Sequence, residues 1–153
     1  MIKAMNISYE IGDKLYLNIT NKCPCNCTFC IRHNGDGAYG SDPLWLEHQP
    51  TAEEVIDNIK KRDLDSYKEI IFCGYGEPTC ELEILKETAK YIKSVTKTPV
   101  RLNTNGLSDL INKRETPAEF KGLVDIISIS LNASDAKAYD LSLIHISEPT
   151  RLD

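Results

Sequence analysis

Two hydrophobic periods alternate along the chain. Segments 14–20 (KLYLNIT), 68–74 (KEIIFCG), 99–106 (PVRLNTNG) and 125–133 (DIISISLNA) carry apolar residues at alternate positions or in short β-branched runs, the pattern of strands. Between them the apolar residues recur at helical spacing. Segment 51–64 (TAEEVIDNIKKRDL) puts Val55, Ile56 and Ile59 on one face and opens on Thr51 and Glu54, a capping box. Segment 81–95 does the same with Leu82, Leu85, Ala89 and Ile92. Segment 116–124 (TPAEFKGLV) suggests a second capping box, Thr116 with Glu119, with Pro117 at the first helical position. SDAKAYD (134–140) begins another helix. Strands separated by helices of this length imply parallel pairing through right-handed crossovers, an α/β fold.

The parity within the strands adds a site. One parity is apolar: Leu15, Leu17 and Ile19; Val100 and Leu102; Ile127, Ile129 and Leu131. The other is polar toward the strand ends: Asn18 and Thr20; Asn103 and Asn105; Ser128, Ser130 and Asn132. A sheet covered by helices on both faces would be apolar throughout. Helices are therefore expected over the apolar parity, and a ligand cavity along the polar one, opening at the C-terminal strand mouths as in barrel-like α/β sheets.

After Asp140 the pattern breaks. LSLIHIS alternates like a strand, yet it follows 125–133 too closely for a helical crossover. SLIHISEPTR resembles translated sequencing-adaptor read-through, so 141–153 are expected to be a non-native tail, with a short helical tail as the alternative. Residues 1–140 are then a domain cut after about four strands, its last strand edge exposed, and expected to be inactive as it stands. At 153 residues, with 41% hydrophobic and 27% charged content, the chain has the length and composition of one soluble domain. No apolar run approaches the ~18 residues of a membrane span, and the first residues lack a signal-peptide core. A cytoplasmic protein is expected, with no membrane partner. The net charge of −5 and scattered lysines speak against generic nucleic-acid binding.

Six cysteines change the picture, because four of them fall in CPCNCTFC, residues 23–30. In a reducing compartment such clustered thiols hold a metal rather than form disulfides. Paired zinc knuckles need two separated CxxC or Cys/His couples, and only Cys27–Cys30 qualifies. A C-x2-C-x2-C ferredoxin run is also absent. What stands here is C-x3-C-x2-C: Cys23, Cys27 and Cys30, directly after a strand, with Phe29 before the last cysteine. Three thiolates on one loop suffice for three irons of a [4Fe–4S] cube and leave the fourth iron open, as a catalytic zinc site leaves a position open for substrate. An electron-carrying cluster would be closed by a fourth cysteine. A non-catalytic iron–sulfur or zinc-binding module is the competing reading.

These residues resemble the radical S-adenosylmethionine (SAM) superfamily, whose signature is CxxxCxΦC with Φ aromatic. The resemblance runs from residue 14 to about 140. It implies a partial (β/α)6 TIM-like barrel, truncated here after about four strands. Cys23, Cys27 and Cys30 then hold a [4Fe–4S] cluster with Phe29 beside it. GYGEP (Gly74, Tyr75, Gly76, Glu77, Pro78) corresponds to the turn that binds the methionine amino group of SAM, glycine suiting close backbone approach. TNG (104–106), with Asn105, and SISLN (128–132), with Ser130 and Asn132, correspond to later SAM contacts. The implied reaction is reductive cleavage of SAM to a 5′-deoxyadenosyl radical that abstracts hydrogen from an unknown substrate, the electron coming from a donor such as flavodoxin or ferredoxin. YEIGDKLYLNITNKC, FCIR, GDG and LWLEHQPT more narrowly resemble the TatD-family-associated radical SAM proteins. The small size also resembles glycyl-radical activases and 7-carboxy-7-deazaguanine synthases.

Other residues are expected to be bland. Cys25, off the spacing, should point away from the cluster; Cys73 should be a small core residue; Cys80 has no assigned role. Glu77 should hold its turn. His33 and His48 should be unpaired surface residues. Arg32 should face solvent, and Tyr75 should pack. The glycine-rich loop 34–43 is a candidate cover for the cluster.

Overall fold

The structure, a computed structural model, describes residues 1–131 and 133–142. Five strands form one sheet in chain order: β1 (Ser8–Ile11), β2 (Lys14–Leu17), β3 (Glu69–Phe72), β4 (Val100–Thr104) and β5 (Ile126–Ile129). β2 to β5 pair parallel in sequence order, as the alternation of periods requires. β1 is the addition: it pairs antiparallel with β2 from Ser8 opposite Leu17 to Ile11 opposite Lys14. The two-residue link between them puts Gly12 at φ 61°, the left-handed conformation that the first position of a type II′ hairpin turn demands.

The crossovers are helices α1 (Ala52–Ile59), α2 (Leu82–Val95) and the short α3 (Ser108–Asn112), and α4 (Ala136–Ser142) follows β5. α1 starts on the expected capping box: Thr51 accepts from the Glu54 amide while the Glu54 carboxylate accepts from that of Thr51. The second capping box does not form. Pro117–Phe120 makes only a 3₁₀ turn. The Thr116 hydroxyl bonds Asp109 and Ser108 instead, and the Glu119 carboxylate is taken by Arg114 and Lys86.

The core lies between the sheet and α1 and α2. Leu15, Leu17, Ile19, Ile70, Phe72, Val100 and Leu102 meet Val55, Ile59, Leu85, Ala89 and Ile92 there, all buried. Truncating a wholly buried Leu85 to alanine in such packing costs about 2–5 kcal/mol. β5 departs from the expected helix cover: Ile127, Ile129 and Leu131 are 45%, 61% and 79% exposed, because α3 is five residues long and α4 begins only at Ala136. Asn132 and the tail from 143 lie outside the described residues; Leu141 and Ser142 complete α4.

Candidate active site at the strand mouths

β2 runs into the cysteine loop and β3 into the GYGEP turn, and the parallel register places these two ends side by side. The turn lies flush on the first loop. A Cβ on Gly74 would fall 2.1 Å from Asn18 Oδ1, and one on Gly76 2.4 Å from the Thr20 carbonyl oxygen. The glycines are therefore required by protein packing, whatever the turn also binds. Asn18 is fully buried and acts as a strut: its Oδ1 accepts from the Tyr75 amide, and its Nδ2 donates to the carbonyls of Leu44 and Asn6. Asn18 and Thr20 are thus buried against protein rather than open to a cavity, contrary to the parity reading, because Asn6 and Leu44 take Asn18 and Gln49 takes Thr20.

Glu77 fastens the turn to β4. It is 4% exposed, with Oε1 accepting from the Thr79 amide, the Thr79 hydroxyl and the Thr104 hydroxyl, and Oε2 from the Asn105 amide at 2.7 Å. Its own amide donates to the Lys22 carbonyl, one residue before Cys23. Tyr75 packs edge-on against Trp45 with ring centroids 5.1 Å apart, and its hydroxyl donates to the carbonyls of Gly35 and Gly37. The glycine-rich loop is thereby pinned to the turn. Pro78 opens the 3₁₀ turn that leads into α2.

The cysteine loop is held differently. Cys23, Cys27 and Cys30 are partly exposed, and Phe29 is 54% exposed. The Cys30 amide donates to the Cys27 carbonyl. Arg32, expected to face solvent, laces the loop: Nη1 reaches the Asn21 carbonyl and Nη2 that of Cys25, with the guanidinium over the Trp45 ring. Cys25 does not point away. It is 5% exposed and shares a hydrogen bond with Cys23, and Asn105 Nδ2 donates to its sulfur at 3.4 Å. The Cys25 contact draws the Cys23 thiol down, while the same contact and burial push Cys25 up. Burial and nearby Glu77 push Cys80 up to about 12.

The sequence matches the radical SAM superfamily over residues 17–150. The chain belongs to the radical SAM superfamily. No curated protein and no solved structure matches it. The family is one of enzymes that use a [4Fe–4S] cluster and SAM, cleave SAM and need a reductant. A five-stranded, mostly parallel sheet fits part of a radical SAM barrel. No helix among the described residues is long and apolar enough to cross a membrane.

The donor chemistry fits such a cluster in that a single loop offers three partly exposed thiols; Cys25 draws Cys23 down, while burial and the neighbouring Cys23 and Cys30 push Cys27 up. Among the described residues no three Cys, His, Asp or Glu side chains converge on one ion as they stand. Of the other expected residues, Asn105 sits beside Cys25 and caps its own turn through Oδ1 to the Leu107 amide. Ser130 takes its register from the Thr104 carbonyl, and Asn132 lies outside the described residues. His48 is not unpaired: its Nε2 lies 2.9 Å from Glu54 Oε1. Cys73 lines the concave face and hydrogen-bonds Asn103 rather than filling the core.

Proposed function

We propose that this chain binds a [4Fe–4S] cluster through Cys23, Cys27 and Cys30 and presents its open iron to SAM, in order to abstract hydrogen from a substrate held on the concave face of the sheet. When bound, cluster and SAM supply a 5′-deoxyadenosyl radical by one-electron cleavage of the sulfonium. The chain's own residues bind and orient. The observation that carries the reading is the contrast in how polar groups are spent around the strand mouths. Glu77 and Asn18 are wholly committed to protein partners, whereas the three thiols at C-x3-C-x2-C spacing are left accessible on one loop.

The backbone of Gly74–Pro78 is proposed for the SAM amino group, with Glu77 keeping that backbone in place. Asn105, Ser130 and Asn132 are proposed for its ribose or carboxylate, and Phe29 as an apolar wall of the cluster. Residues 1–140 are read as the first part of a radical SAM core, reduced by a flavodoxin- or ferredoxin-like donor. YEIGDKLYLNITNKC and LWLEHQPT support the TatD-associated branch of the superfamily.

Anaerobic reconstitution with iron and sulfide, followed by electron paramagnetic resonance with and without SAM, tests the reading. A reduced [4Fe–4S] signal that shifts on adding SAM is expected. A signal indifferent to SAM, or a site that takes zinc and refuses iron, overturns it.

A further inference from the structure

The concave face carries a polar cavity of about 510 Å³, within the range that holds small molecules. Lys14 and Arg101 line it toward the N-terminal ends of the strands, Cys73, Asn103 and Ser130 toward the C-terminal ends, with Ile71 and Ile129 as apolar wall. No carboxylate lines it among the described residues. Glu69 pairs with both cations. Arg101 grips it with Nε and Nη2 at 3.1 and 2.8 Å, and Lys14 Nζ lies 3.3 Å away.

Two cations therefore share one carboxylate, leaving one surplus positive charge facing the cavity. Such a charge, partly removed from water, is stabilised by an anion. Arg101 spends three of its five N–H groups on Glu69 and Ser128, so its fork still has donors to offer. The other end has the opposite need. The Asn103 amide bonds Cys73, but its Oδ1 is buried and has no partner among the described residues, a condition that costs free energy until an N–H or O–H arrives. Arg101 and Asn103 are two residues apart on β4, so the two demands lie roughly 6–7 Å apart along the strand.

Resting on the reading of this face as the substrate side, we infer that the cavity takes a small carboxylate-bearing molecule. Its anion sits on Lys14 and Arg101, and a hydrogen-bond donor on the same molecule reaches Asn103 Oδ1. This orientation sends the part of the ligand nearest Asn103 toward the strand mouths, where the cysteine loop begins.

The test titrates the full chain, before and after cluster reconstitution, with three probes of one size: 4-hydroxybenzoate, 4-hydroxybenzamide and benzoate. Calorimetry or ligand-observed NMR reads the binding. The acid is expected to bind about tenfold more tightly than the neutral amide, and several-fold more tightly than benzoate, which lacks the donor. Lys14→Met should weaken the acid about fivefold. Glu69→Gln should strengthen it, because the opposing carboxylate is gone, a gain that a merely structural role would not produce. Circular dichroism checks each fold, and Lys14→Gln replaces Lys14→Met if the latter unfolds. Equal binding of acid and amide, no saturable binding of any probe, or an unchanged affinity in the Lys14 variant overturns the proposal. Because the titration is also run without iron, its failure leaves the cluster reading standing. A SAM-silent cluster with carboxylate binding intact removes only that reading.

Discussion

The GYGEP turn and the CPCNCTFC loop lie side by side, and they treat their polar atoms in opposite ways. In the turn the two polar side chains are used up: the Glu77 carboxylate accepts four hydrogen bonds, and the Tyr75 hydroxyl donates to two alternative carbonyls. In the loop the thiols at 23, 27 and 30 stay partly exposed, and one arginine holds the chain around them through the Asn21 and Cys25 carbonyls. A residue that looks catalytic by type can be structural by context, and the measure is whether the protein has already satisfied it.

The sharpest way to break this comparison is to damage the turn. Glu77→Ala should cost about 3–5 kcal/mol in urea unfolding, since four donors lose a buried acceptor at once; Glu77→Gln should cost less. A loss below about 1 kcal/mol would show that the carboxylate is not the fastener. Next, Gly76→Ala should cost about 2–4 kcal/mol, because its Cβ would meet the Thr20 and Lys22 carbonyl oxygens at 2.4 and 2.7 Å. Gly74→Ala should cost less if the Asn18 side chain can swing aside.

The loop variants should behave in the reverse sense, with small effects on stability and large ones on metal. Cys27→Ala and Cys30→Ala should change unfolding by less than about 1 kcal/mol and abolish iron retention after reconstitution, as should Cys23→Ala. Cys25→Ala should retain iron and cost about 1 kcal/mol for its buried sulfur. Cys80→Ala should also retain iron, and iron loss there would supply a fourth protein ligand and close the open corner.

The smallest effect concerns acid. Arg114 and Lys86 hold Glu119 down to about 2, and Lys93 with the Val100 amide keeps Asp125 below its ordinary value. A lowered carboxylate contributes stability that is present above the unfolded value of about 4 and is lost as pH falls toward the folded one. The stability curve should decline between roughly pH 4.5 and 2, and Glu119→Gln should flatten that limb. An unaltered limb in this variant would mean that the exposed pairs contribute nothing.

Much of this was legible from hydrophobic period, which gives the four parallel strands and the faces of α1 and α2, and from the Thr51–Glu54 spacing, which gives the cap. The cysteine spacing likewise pointed to the superfamily to which the chain belongs. The hairpin β1 did not, because SYEI is four residues long and only Gly12 marks the turn. The Thr116 capping box failed because Asp109, Arg114 and Lys86 outbid the local partners from elsewhere in the fold. Cys25 turned inward because an irregular loop has no period from which to read direction. Cys73 could have been found: it shares parity with Glu69 and Ile71, the side of β3 that faces away from α2.

The hairpin has a further meaning for the shape of the molecule. By lying reversed along β2, β1 occupies the edge on which a ring of parallel strands would have to close. A further strand running with β2–β5 would pair in parallel at β5 but could meet β1 only in antiparallel fashion. Among the described residues the two outer edges of the sheet therefore differ in kind, β5 offering a template for a parallel neighbour and β1 one for an antiparallel neighbour.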